Sequence, residues 1–548
     1  MPRHNRPVFL RFLFVLLAAL AAGSLTAAQP AARPNILFIL ADDMGFSDAA
    51  CYGGEIATPN LDRLAANGVR FSQFYNTARC WPTRAALLSG HYPQQIRMDP
   101  PRGKLPEWTR LLPHYLKPLG YRSYQSGKWH VQGAPLVISN GGFDRSYRLD
   151  DHDRNFYPGN HSVDDVRQPP VAKGSNYYTS TAFADFMIDC LKTHAAKTPS
   201  QPFFSYLAFT VPHFPLQAPP EDIARYRDKY LAGWDVIRQQ RHDRQLKMGL
   251  VNCALSPREP EIVPHWNLKD AELKEQISPG EVARALAWSE LNDEEQRFQA
   301  TKMAIHAAMI DRMDHEIGRV LDQLKAMGAL DNTIVMFASD NGTSAEFLNR
   351  GDKHDKWAEL GAGGSYLCLG PGWSTVGNTP FRLHKSWVHE GGTATPFIVQ
   401  WPKGFAAKGE LRHAVGHVID IVPTVLDLVG GQREKKWNGV EVPPLPGRSL
   451  VSAFAKDVPV PRDFLYFHHE NNRALRIGDW KLVSKRPDTN DYALYNLSHD
   501  RSEQVNLADK EKERVISMAN RWQEIETGFR KLAGPLTPPA GRRANSKE

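Results

Sequence analysis

Asn35-Ile36-Leu37-Phe38-Ile39-Leu40-Ala41-Asp42-Asp43 is the stretch that decides the fold. Its apolar part shows no polar alternation, as expected of a strand buried on both faces of a parallel sheet. It runs straight into two acids. Three more apolar runs follow the same plan. Residues 202–209 lead to Val211-Pro212-His213, residues 332–338 to Ser339-Asp340-Asn341-Gly342, and residues 395–401 form the third. A shorter strand over 121–125 leads to Ser126-Gly127-Lys128-Trp129-His130. Helical spacing predicts helices over 58–67, 81–89, 178–192 and 299–328, with Thr58 as N-cap and Pro59 at the first position of the earliest. Alternating strands and helices predict an α/β fold: a large mixed, mostly parallel sheet flanked by helices on both faces. Such sheets bind ligands at the carboxyl ends of their strands, where this chain keeps its charged residues.

The 548 residues exceed one ordinary core. Segment 232–295 is charged and weakly periodic and reads as an insertion beside the site. After Glu441 the Pro-rich run 442–446 leads into short alternating stretches at 464–467, 474–477, 481–484 and 493–497, and then a helix over about 510–532. The expected layout is a main domain over 34–440, a smaller α+β domain over 441–535 (antiparallel sheet plus helix), and a disordered tail over 536–548. Residues 1–28 read as a signal peptide. Arg3, Arg6 and Arg11 precede a short apolar stretch, and Leu25-Thr26-Ala27-Ala28 supplies small residues for cleavage. The expectation is export to the periplasm or medium, with no stable membrane anchor.

The formal net charge is +7 and no nucleic-acid-binding motif is present, so nucleic acid is not an expected partner. The five cysteines lack CxxC spacing, and an odd count in an exported protein suggests that one is used differently. Cys51, Cys190, Cys253 and Cys368 read as buried thiols, with a disulfide among them left open.

Asp42-Asp43 alone reads as a turn or N-cap pair, and Ser-Asp-Asn-Gly alone as a turn. Together, Asp42, Asp43, Asp340 and Asn341 at one sheet edge make an oxygen-rich site suited to Ca²⁺ or Mg²⁺. Zn²⁺ prefers nitrogen and sulfur. A cation would also relieve the repulsion among the acids.

Cys80-Trp81-Pro82-Thr83-Arg84 precedes the small and apolar run 85–90. Pro82 fits the first turn of a helix, whose positive N-terminal end faces an incoming anion. A Cys with Pro at +2 and Arg at +4 resembles the signature of the formylglycine-dependent type I sulfatases, an arylsulfatase-like branch of the alkaline phosphatase superfamily. The resemblance runs from Pro34 to about Leu507. It includes Thr58-Pro59-Asn60-Leu61-Asp62-Arg63-Leu64 and Leu494-Tyr495-Asn496-Leu497. It implies that a formylglycine-generating enzyme oxidises Cys80 to 3-oxoalanine, whose hydrate attacks the sulfur of an aryl or carbohydrate sulfate ester, such as that of a sulfated glycan. It implies that Asp42, Asp43, Asp340 and Asn341 hold a divalent ion, Ca²⁺ or Mg²⁺, with modified Cys80 as a further ligand. Asp340 would be the base and Arg84 would hold the hydrate. Lys128 and Lys385 would neutralise sulfate oxygens, and His130 and His213 would move protons. His384 and His389, flanking Lys385, receive no role. Val131-Gln132-Gly133 departs from the family's usual Leu-Gly at this point but removes no reactive group. The rival readings are a phosphonate or phosphate monoester hydrolase of the same superfamily and a non-catalytic sulfated-glycan-binding protein. The single oxygen-rich site and the complete reactive set favour the sulfatase over both.

Overall fold

The computed structural model describes Met1 and residues 33–150, 154–348, 353–485 and 491–535. Apart from Met1, the expected signal peptide and the tail 536–548 lie outside the described residues. The principal strands are β1 (Asn35–Asp42), β2 (Val69–Tyr75), β3 (Arg122–Lys128), β4 (Arg145–Leu149), β5 (Phe203–Pro212), β6 (Thr333–Ser339) and β7 (Ala394–Gln400). They lie in the order β2-β7-β6-β1-β5-β3-β4, with short strands completing both edges. Leu40 of β1 pairs with Ala208 of β5 and Ala338 of β6, and Gly127 of β3 also pairs with Ala208, all in parallel. Strand β7 runs antiparallel to both β6 and β2. The expected mixed, mostly parallel sheet is therefore present.

Strand β1 faces two cores. Leu37, Ile39 and Ala41 point to one, and Ile36, Phe38 and Leu40 to the other. Burial on both faces explains why its sequence does not alternate. Helices α1 (Pro59–Ala66), α3 (Thr179–Lys197) and α5 (Asp293–Ala326) pack on the first core through Leu61, Met187 and Ile310. Helix α2 (Cys80–Ser89) packs on the second through Ala85, Ala86, Leu87 and Leu88. Thr58 does occupy the N-cap of α1, but its side chain makes no capping bond. Its hydroxyl accepts from the Ala50 N–H at 3.0 Å and donates to Asp62 at 3.1 Å.

Segment 232–295 holds more structure than its charge suggests. Helix α4 (Gly233–Lys247) is anchored by Arg241, which pairs with Asp48 at 2.7 Å and Glu55 at 2.8 Å. These charges face inward and satisfy one another, so hydrophobic period alone could not reveal the helix.

The C-terminal part forms the expected four-stranded antiparallel sheet: Leu465–His469, Asn472–Ile477, Trp480–Ser484 and Tyr492–Asn496. Helix α6 (Lys512–Ala533) packs with it through Met518, Trp522 and Ile525. This sheet joins the loop before β7 through buried ion pairs. Lys481 lies 2.9 Å from Glu390 and 3.0 Å from Glu503, and Arg501 lies 3.1 Å from Glu390. All five cysteines are free thiols. Among the described residues no helix is long and apolar enough to cross a membrane.

Candidate active site

Parallel pairing of β6, β1, β5 and β3 brings four strand ends to one edge of the sheet. Asp42 and Asp43 leave β1, Lys128 closes β3, His213 follows β5, and Asp340 and Asn341 follow β6. Cys80 opens α2, next to this edge. Asp43 holds a left-handed backbone (φ 66°), as do Ala78, His130, Leu383 and Ser386 around the site. Such conformations are held by their surroundings and are enriched at functional sites. Gly342 is required for packing: a Cβ there would lie 1.8 Å from the Gly391 carbonyl oxygen. That contact sets the loop carrying Lys385 against Asn341.

The acids are almost fully enclosed and each has a cationic partner. Lys128 Nζ lies 2.5 Å from Asp42 Oδ2. Arg84 reaches Asp340 Oδ2 at 2.7 Å and Asp42 Oδ2 at 3.6 Å, and donates to the Lys128 carbonyl at 2.9 Å. Lys385 Nζ lies 2.8 Å from Asp43 Oδ1, and His213 Nε2 lies 3.8 Å from Asp43 Oδ2. The Asn341 amide donates to Asp43 Oδ1 at 2.6 Å. Arg84 is thus a brace between two acids, itself fully buried.

Burial is the largest influence on all these carboxyls. It pushes Asp340 up to about 7, helped by the charge of Asp42 and opposed by Arg84 and Lys128. It also raises Asp43, against Lys385. At Asp42 burial is overcome by Lys128, Arg84 and Lys385, which hold the carboxyl below its usual range. Burial raises the Cys80 thiol too, against Lys128 and Lys385. A thiol shifted that way is protonated at neutral pH and is a poor nucleophile as encoded.

The donor set fits a hard cation. Asp42 Oδ1 and Asn341 Oδ1 are buried acceptors with no hydrogen-bond partner. Buried acceptors are rarely left so, and a bound ion is one of the few explanations. One ligand atom each from Asp42, Asp43 and His213 lies within 4.8 Å of the others. The oxygen-rich character suits Ca²⁺ or Mg²⁺.

His130 is half-buried, its ring set edgewise to Trp81 with centroids 5.8 Å apart. His384 is turned to Ser374, at 2.7 Å, and burial lowers it to about 3, which leaves it neutral. His389 is likewise buried and shifted down.

Sequence reasoning passed over three residues here. Arg79 lies over the Trp81 ring at 5.2 Å and the Trp266 ring at 5.7 Å. Glu346 lies 3.0 Å from Arg79 and 3.3 Å from Lys385. Asp48 accepts from the Gly45 N–H at 2.8 Å and thereby shapes the loop after Asp43. Trp266 comes from segment 232–295, which thereby contacts Arg79, the residue before Cys80. None of the three carries a motif; only folding brings them together.

Residues 34–431 match the family described as Sulfatase, and residues 381–527 match the one described as N-sulphoglucosamine sulphohydrolase, C-terminal. An uncharacterized sulfatase of Schizosaccharomyces pombe is 33% identical over 90% of this chain and 94% of its own length. An arylsulfatase of Klebsiella aerogenes is 32% identical over 78% of this chain and 93% of its own. The fold is shared with Ps i-CgsB, solved in complex with k-i-k-neocarrahexaose (TM-score 0.64, 22% identity, 92% of this chain and 94% of that one). It is also shared with a protein solved with its substrate D-glucosamine-2-N,6-O-disulfate (TM-score 0.61, 20% identity, 91% and 98%).

Proposed function

The chain belongs to the sulfatase family and is a sulfuric ester hydrolase, and from its site we propose that it cleaves an aryl or carbohydrate sulfate ester with a formylglycine made from Cys80 and a divalent cation. One observation carries this reading: Asp42, Asp43, Asp340, Asn341, Lys128, His213 and Lys385 meet at one sheet edge beside Cys80. Oxidised to the aldehyde, residue 80 supplies a hydrate with one hydroxyl to attack sulfur and a second whose deprotonation expels sulfate afterwards. A cation held by Asp42, Asp43, Asp340 and Asn341, Ca²⁺ or alternatively Mg²⁺, supplies positive charge that lowers the pKa of the attacking hydroxyl.

The chain's own residues do the rest. Asp340 takes the proton of the attacking hydroxyl. Lys128, Lys385 and His213 present positive charge and hydrogen bonds to the sulfuryl oxygens as charge develops on them. Their donors lie in an enclosed site, where such interactions are strongest. His213 or Lys385 assists departure of the alcohol or phenol. His130 removes the second proton. Arg84 holds Asp340 and Asp42 in register beside residue 80. The reading extends to architecture and location. Residues 34–440 make the catalytic domain and 441–535 support it, and the basic and then apolar N-terminus directs export to the periplasm or medium. The unfolded Cys80 segment then meets a formylglycine-generating enzyme before or during export. The complex of one fold relative with D-glucosamine-2-N,6-O-disulfate supports, for this chain, a carbohydrate sulfate as substrate.

The test is turnover of nitrophenyl sulfate by matured protein, set against nitrophenyl phosphate. The sulfate ester is preferred and Cys80→Ala abolishes its hydrolysis. Preference for the phosphate, or unchanged turnover in the variant, would overturn the reading.

A further inference from the structure

The loop after β6 carries a carboxylate with no evident reason in the sequence. Glu346 is buried, with 2% of its surface exposed. Its Oε1 accepts from Arg79 at 3.0 Å. Its Oε2 accepts from the Ser344 hydroxyl at 3.0 Å and lies 3.3 Å from Lys385 Nζ. The Glu346 N–H returns a bond to Ser344 Oγ at 3.2 Å, so the carboxylate is fixed locally.

Lys385 is fixed at its root. Its N–H donates to the Thr343 carbonyl at 3.1 Å, and the Ser386 N–H to Ala78 at 2.8 Å. Left-handed residues stand on either side, Leu383 at φ 64° and Ser386 at φ 78°. The root does not fix the tip, because four flexible carbons separate them and ordering such a stem has a large entropy cost. The ammonium has two anionic anchors, Asp43 and Glu346. Asp43 is also a ligand of the proposed cation, and a coordinating carboxylate has less charge to share with an ammonium. Glu346 stands outside that ligand set.

We propose that Glu346 is a positioning residue for Lys385, holding its ammonium beside the departing oxygen while Asp43 serves the cation. The proposal rests on the reading of Lys385 given above. When the S–O bond breaks, its electron pair stays on the leaving oxygen, and a fixed ammonium there stabilises the charge. An alcohol or phenol of high pKa needs that help most, and nitrophenol needs it least.

The experiment uses matured, metal-loaded protein and a series of aryl sulfates of rising phenol pKa. The variants are Glu346→Gln, Glu346→Asp, Lys385→Ala and the Gln/Ala double variant, with bound Ca²⁺ measured in each. Glu346→Gln is expected to lower kcat for phenyl sulfate by about 10- to 100-fold, less for nitrophenyl sulfate, with little change in KM. The dependence of rate on leaving-group pKa steepens, and Glu346→Asp recovers part of the loss. In the Lys385→Ala background, Glu346→Gln costs no more than about twofold, because the two act as one unit. An equal loss across all leaving groups would overturn the proposal. So would independent, multiplying effects in the double variant, or loss of Ca²⁺ from Glu346→Gln. Wild-type kinetics in Lys385→Ala would be a different result: it removes the role of Lys385 itself, and the positioning role with it.

Discussion

Lys128 places its ammonium 2.5 Å from Oδ2 of Asp42, while Oδ1 of the same carboxylate is buried without a hydrogen-bond partner. One oxygen of this acid is thereby taken by a lysine, and the other is the one that would hold the proposed cation. In the proposed reaction Lys128 presents its ammonium to a sulfuryl oxygen, and Oδ1 of Asp42 would help hold the cation. Lys128→Ala should therefore lower kcat/KM for nitrophenyl sulfate by about 10²–10³, the usual loss for one donor to a developing oxyanion. Steady-state kinetics on folded variant reads this out, and a loss below threefold would remove Lys128 from the clamp.

Cation removal gives a second prediction. Dialysis against a chelator abolishes turnover, and Ca²⁺ restores it. Because the ion binds the native state, it also stabilises it, by about 2.7 kcal/mol at a free concentration one hundred times Kd. Thermal melts with and without Ca²⁺ measure this, and Asp42→Asn should shrink the difference. Full activity in a chelated sample shown by elemental analysis to be metal-free would contradict the account.

Asp48 gives a pH-dependent prediction away from the chemistry. Although burial pushes its carboxyl up, Arg241 and His306 outweigh it and bring the carboxyl from 3.8 to about 2. A carboxyl depressed in the folded state contributes stability above its unfolded value, and that contribution is lost as pH falls through the folded one. For a fully buried group the contribution is about 2 kcal/mol at neutral pH. Urea titrations of Asp48→Asn against the parent should show a deficit of that order at pH 7 that closes between about pH 4 and 2. A deficit constant across that window would rule the carboxylate out as its source.

The buried cluster joining the C-terminal sheet to the Lys385 loop gives a fourth. Lys481→Met leaves Glu390 and Glu503 enclosed without their lysine, and breaking a buried pair costs about 3–5 kcal/mol. Burial already pushes Glu503 up to about 7, against Lys481 and with Glu390 adding to it. Adding Glu503→Gln to Lys481→Met removes one uncompensated charge and should recover part of the loss. Denaturant midpoints decide this, and strictly additive losses would show that the charges act independently.

Much of this was legible in the chain. The apolar run 35–40 announced a strand buried on both faces, Asp42, Asp43, Asp340 and Asn341 followed from reading past the ends of such runs, and Lys128 and His213 were singled out by the resemblance to the sulfatases. The boundaries moved where tertiary packing overrode local pattern. Strand β3 extends from the expected 121–125 to Arg122–Lys128, carried by pairing with β5. Helix α4 was not foreseen because Arg241 faces inward to Asp48 and Glu55, which inverts the amphipathic pattern. Arg84, expected to hold the hydrate, also pairs with Asp340 and Asp42, contacts the sequence did not announce. Glu346 and Arg79 could not be found from sequence, since they pair with each other across 267 positions and neither lies in a motif.

The central claim is that Cys80 is a precursor. Its buried, neutral thiol is unsuited to attack as encoded. The most direct measurement is a peptide mass spectrum across residue 80 of active protein. The account predicts a peptide lighter by the exchange of sulfur for oxygen and the loss of two hydrogens, in a fraction that tracks specific activity. Full sulfatase activity in protein whose residue 80 remains an unmodified cysteine would contradict it.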